Sequence, residues 1–184
     1  MGEAGPPRFG DPVGVRAKGP TRPARSFWWN RESRTQADVL RAVIFDADSA
    51  LPDAEHDGPG TDLIDAVMSL FVAGIWVSVV SNRPRAEVQR QVRQLLGDGL
   101  VETIVTIDDL PEPDPALARS GELYRLALWE MGITPRAALA VAGSTCALRT
   151  SVAAGLPAVF VDSSQLSAAS CQQAHRRWWI RQAA

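Results

Sequence analysis

From Arg41 onward the chain alternates two hydrophobic patterns. Short, largely apolar runs occur at Ala42–Phe45, Ile75–Ser81, Val101–Ile107, Ala137–Gly143 and Pro157–Asp162 and read as strands. The first, apolar at every position, suits a strand buried on both faces of a sheet, where no side is left for polar residues. Between them the apolar positions recur at helical spacing. Thr61–Gly74 begins on Thr-Asp and stops on Gly, Arg83–Gly97 carries Pro84 in its first turn, and Gly121–Gly132 is amphipathic. Thr145–Gly155 and a segment starting at Ser163 complete the helices, and the last ends in RRWWIRQAA. The stretch DDLPEPDPA, Asp108–Ala116, has three prolines within five residues and reads as a loop.

Strand and helix in strict alternation predict a parallel α/β sheet of about five strands, a three-layer Rossmann-like core. In such sheets ligands bind beyond the carboxyl ends of the strands. The residues to weigh are therefore Asp46 and Asp48, Ser81 and Asn82, Asp108 and Asp109, Gly143 and Ser144, and Asp162.

Charge divides the chain further. The net charge is −2, but residues 1–37 carry +4 and leave −6 for the remainder. That first segment is rich in Gly, Pro and Arg without apolar periodicity, and it reads as a disordered basic tail. Residues 38–162 form the expected core, and 163–184 a C-terminal helix with a basic-aromatic end. Two cysteines and two histidines supply neither a disulfide framework nor a metal-binding cluster at recognisable spacing. No apolar run reaches the roughly 20 residues of a membrane span. The N-terminus lacks a secretion signal's apolar core. A cytoplasmic protein is expected.

Asp46 ends the first strand, and Asp48 follows in FDADSAL. A carboxylate at a buried strand end can serve as nucleophile or metal ligand, and a close second one as acid or base. A solvated pair in a turn is the plainer alternative. In VVSNRPR, Ser81 and Asn82 offer donors where a helix begins, and Arg83 and Arg85 add positive charge. Helix capping is the plainer reading there.

Together the two segments resemble the haloacid dehalogenase-like hydrolase superfamily, whose motifs are a strand followed by D-x-D-x-[TV] and a strand ending in Ser or Thr. YRLALWEMGITPRAALAVAGSTCALRTSVAAGLPAVFV, Tyr124–Val161, also resembles the β-phosphoglucomutase-like branch in register. The resemblance covers about Arg41 to Asp162. It implies an aspartyl-phosphate on Asp46, acid and base work by Asp48, phosphate binding by Ser81 and Asn82, and Mg²⁺ held by Asp46 and Asp48 with a further acid.

The chain departs from that pattern in several places. The further acid falls on Gly143, with Ala142 beside it. The third-motif cation falls on Glu112 by one alignment and near Arg119 by another, and Arg119 is favoured on charge. Ser49 and Ala50 replace the usual Gly and Thr or Val, affecting the turn more than the charges. Only 35 residues separate Asp46 from Ser81, so the helical cap of the branch is absent and the site is expected to be open. Asp48 is a phosphatase feature and argues against a true dehalogenase.

Two function classes follow. One is a degenerate phosphohydrolase with weak or no Mg²⁺-dependent activity on a phosphorylated substrate. The alternative is a non-catalytic anion-binding or protein-interaction module, with Trp28, Trp29, Trp178 and Trp179 as contact residues. Cys146, in the first turn of a helix, reads as a packed small residue. RRWWIRQ reads as folding back on the domain.

Overall fold

The computed structural model describes residues 39–52, 61–111, 114, 116, 121–160 and 166–183. Five parallel strands form one sheet in the order β3-β2-β1-β4-β5. They are β1 Ala42–Asp46, β2 Trp76–Ser81, β3 Thr103–Thr106, β4 Ala138–Ala142 and β5 Ala158–Phe160. The helices are α1 Thr61–Val72, α2 Arg85–Leu96, α3 Glu122–Met131, α4 Thr145–Ala153 and α5 Ala168–Ala183.

Alternation along each strand divides the core between the two faces of the sheet. Val43, Phe45, Val77, Val79, Leu139 and Val141 face one way, into a cluster with Leu63, Val67 and Leu70 of α1 and Val88 and Val92 of α2. Cys171 of α5 joins the same layer. Ala42, Ile44, Val80, Val105, Ala138 and Ala140 face the other way, against Leu123, Tyr124, Ala127 and Leu128 of α3. Both faces are covered, which is why the strands read as continuous apolar runs.

Small differences from the sequence expectation have local causes. Pro84 stands at the N-cap of α2 rather than inside its first turn. The last helix starts five residues later than expected, at Ala168, and continues through RRWWIRQ. Its fold-back is anchored by Trp179, whose ring lies 4.9 Å from the Arg136 guanidinium. The indole N–H of Trp179 lies 3.2 Å from Nε2 of the buried His175. Trp178 is half-buried. Trp28, Trp29, Glu112, Arg119 and Asp162 lie outside the described residues, as does the tail 1–37.

The order of strands places β1 between β2 and β4, where the chain direction of travel across the sheet reverses. The carboxyl ends of β1, β2 and β4 therefore bring Asp46, Ser81 and Gly143 to one edge, the crevice at which α/β sheets bind ligands. Within the described residues, α1 alone stands between β1 and β2. Among the described residues no helix is long and apolar enough to cross a membrane.

Candidate functional site

A cleft of about 250 Å³ opens at that edge, lined by Asp46, Asp48, Ser81, Asn82, Tyr124 and Cys146, among others. Four of the residues singled out in the sequence, Asp46, Asp48, Ser81 and Asn82, thus share one cavity.

Asp46 closes β1 and is 7% exposed. Its Oδ1 accepts a hydrogen bond from Ser49 Oγ at 3.0 Å, and its Oδ2 one from the Tyr124 hydroxyl at 3.3 Å. Burial pushes its pKa up, and the negative charge of Asp48 adds to this; the donors Ser49 and Tyr124 only partly offset them. Tyr124, buried under the carboxylates, is pushed far above its ordinary value by burial and by Asp46, so it remains a donor.

Asp48 turns the other way, toward the end of β2. Its Oδ1 accepts from Ser81 Oγ and, at 3.0 Å, from Arg83 Nε. Its Oδ2 accepts from the Asn82 backbone N–H at 2.7 Å and from Asn82 Nδ2 at 3.0 Å. Partial burial raises its pKa, but these donors together outweigh that and hold it below the ordinary carboxylate range. The two acids have different partners, and their pKa values move in opposite directions.

Ser81 and Asn82, read as donors for an external anion, are thus engaged by an internal one. Arg83 shares that work. Arg85 does not: its Nη2 pairs with Asp109 at 2.5 Å and with the Ile104 carbonyl at 2.7 Å, while Asp108 accepts from the Arg85 backbone N–H. Asp109 also accepts from Thr106 N–H and Oγ1. Asp108 and Asp109 therefore tie the end of β3 to the start of α2, a structural role.

Part of the wall is formed by the start of α4, just after Gly143, where the Ser144 hydroxyl accepts from the Ala147 N–H at 3.1 Å. The Gly143 N–H donates to Ser49 Oγ at 3.1 Å. A Cβ at position 143 would lie 1.8 Å from the Ser49 carbonyl oxygen and 2.5 Å from its carbon. Glycine is therefore a requirement of this close approach. Ser49 does more than shape a turn: it links the Asp46 carboxylate to β4. Sequence reasoning missed this, and missed Tyr124 as a donor, although the chain has a single tyrosine and it falls on the apolar face of α3.

A magnesium site needs oxygen ligands free of competing donors. Asp48 is enclosed by N–H and O–H donors, and the place of a side chain at 143 is filled by the Ser49 backbone. Among the described residues no three His, Cys, Asp or Glu side chains group as a metal-binding set. The described residues do not fit the implied Mg²⁺.

Neither a family model nor a curated protein sequence matches the chain. Solved structures do. β-Phosphoglucomutase from Clostridium difficile aligns with a TM-score of 0.61 at 11% identity, over 78% of this chain and all of that one. CbbY from Rhodobacter sphaeroides, in complex with phosphate, gives 0.53 at 16% identity, over 69% and 89%. A Bacteroides fragilis protein assigned as a haloacid dehalogenase-like hydrolase gives 0.53 at 18%, over 73% and 93%. With the parallel sheet and the order of its strands, these likenesses establish that the chain has the haloacid dehalogenase-like hydrolase fold, as found in β-phosphoglucomutase.

Proposed function

We propose that this chain is a phosphate-recognising domain on a phosphohydrolase scaffold, with Mg²⁺-dependent turnover weak or lost. The observation that carries the reading is the contact at Gly143. An acid at that position has no room, because the Ser49 backbone stands where its side chain would begin.

The polarity of the acids supports the same conclusion. A nucleophilic Asp46 must be ionised, and an acid at position 48 must hold a proton. The surroundings push the pair the other way: burial raises the pKa of Asp46, and the donors around Asp48 lower its pKa. What survives is a set of donors suited to an oxyanion: Ser81, Asn82 and Arg83. The phosphate bound by CbbY makes a phosphorylated ligand the natural class to test. Arg119, if it reaches the cleft, would add the cation that the resemblance implies. Trp178 and the exposed Ile180 leave part of α5 accessible to a protein partner, the interaction role considered for the tryptophan-bearing ends.

The test is hydrolysis of an aryl phosphate with and without Mg²⁺, beside Asp46→Asn. Rates at or little above background are expected in all four conditions. Turnover far above background that requires both Mg²⁺ and Asp46 would overturn the proposal.

A further inference from the structure

The carboxylate of Asp48 sits on its donors as a ligand sits in a receptor. Each of its oxygens takes two hydrogen bonds, and all four donors come from three consecutive residues. Two of these residues, Ser81 and Arg83, also have partners other than Asp48. Ser81 Oγ accepts from the Arg83 N–H at 3.0 Å, which leaves its own hydrogen directed at the carboxylate. The Arg83 guanidinium is fixed from behind by Gln91 Oε1. Gln91 is fixed in turn by donating from Nε2 to the Pro52 carbonyl at 2.9 Å. Ser81 is 1% exposed, whereas Asn82 and Asp48 reach solvent. The result is a preorganised oxyanion receptor whose base is buried and whose mouth is open.

We propose that Asp48 is a built-in competitor, and that a tetrahedral oxyanion such as a phosphate monoester binds Ser81, Asn82 and Arg83 only by displacing it. The proposal rests on the phosphate-recognising reading above and adds its regulation. Two anions cannot share these donors: they would repel at contact distance, and the Ser81 hydroxyl and the Asn82 backbone N–H each have a single hydrogen, already given to Asp48. Displacement is feasible because Asp48 lies in the turn after β1, with its side chain 26% exposed, and can rotate into water. The cost of moving it is charged against the affinity of any external ligand, as in any equilibrium where the competent state is a minority.

The experiment titrates inorganic phosphate into wild type, Asp48→Ala, Asp48→Asn and the double variant Asp48→Ala/Ser81→Ala. Binding is read by calorimetry and by the amide resonance of Asn82, with circular dichroism to check folding. Asp48→Ala should bind phosphate about tenfold or more tightly than wild type, with the Asn82 amide moving to saturation. The double variant should lose that gain. Asp48→Asn, nearly isosteric, serves if the alanine variant does not fold; removal of the charge alone should still raise affinity. Wild-type binding as tight as that of both Asp48 variants would overturn the competitor and leave phosphate recognition standing. No binding by wild type or by any folded Asp48 variant would overturn both.

Discussion

Replacing Gly143 by aspartate tests whether this cleft lacks only one acid or has been rebuilt without one. Ordinary non-bonded contact is about 3.5–4.0 Å, so a Cβ placed 1.8 Å from the Ser49 carbonyl oxygen forces the turn after β1 to withdraw by roughly 2 Å. That movement strains a connected set of hydrogen bonds: Gly143 N–H to Ser49 Oγ, Ser49 Oγ to Asp46, and Ala50 N–H to the Asp46 carbonyl at 2.8 Å. At about 1 kcal/mol for a neutral bond and about 2 for one to a carboxylate, the loss is about 3–5 kcal/mol. For a chain of this size that lowers Tm by about 6–20 °C. Gly143→Ala carries the same steric fault without the charge and should fall by a similar amount. The assay is thermal unfolding of both variants with and without millimolar Mg²⁺, and Mg²⁺ should not restore the aspartate variant. A Gly143→Asp protein as stable as wild type, and stabilised further by Mg²⁺, would refute the argument, because it would show a compliant turn and a latent metal site.

Further predictions concern the two acids and the last helix. Asp46 has a raised folded-state pKa, so its stabilising protonated form is fully present below the ordinary carboxylate value and is lost as pH rises through the raised one. Asp46→Asn should therefore raise Tm at neutral pH, with the gain vanishing in acid. Asp48 is shifted down, so its contribution is present above the ordinary value and lost as pH falls through the lowered one. Asp48→Asn should lower Tm at neutral pH and become silent in acid; matching pH profiles for the two variants would contradict the opposed environments. Trp179→Ala removes a half-buried ring stacked by Arg136 and should cost about 2–3 kcal/mol, seen in urea unfolding. A cost under about 0.5 kcal/mol, the range of ordinary surface changes, would mean the fold-back of α5 contributes little.

The sheet was legible because its central strands, β1 and β4, are buried on both faces. Nothing polar interrupts Val43, Ile44 and Phe45, and the turn residues between runs are spaced for crossovers. Element ends were less legible. Pro84 fits either a first turn or a cap, and only the hydrogen bonds of α2 decide. The extent of α5 depended on a partner far away in sequence, since Trp179 packs on Arg136. The site was half visible. Its acids and donors stand at strand ends, where topology collects them. Their pairing was not visible, because Asp48 meets Ser81 across 33 residues and Ser49 meets Gly143 across 94. Replacing a glycine by Ser49 looked like a change of turn, yet the hydroxyl ties the turn after β1 to Gly143, just beyond β4. Likewise Arg83 and Arg85 look equivalent in the sequence, but one faces Asp48 and the other the end of β3.

The two thiols have very different surroundings, and that difference offers a use. Cys171 is buried against the sheet, with its pKa pushed up to about 11 by burial. Cys146 is exposed on the first turn of α4 and lines the cleft. A thiol-directed dye applied to the native protein would therefore mark one position, a few side chains from the acids. Because the sequence contains no third cysteine, no background would need to be engineered away. The molecule carries its own attachment point for an optical reporter of what enters and leaves the crevice.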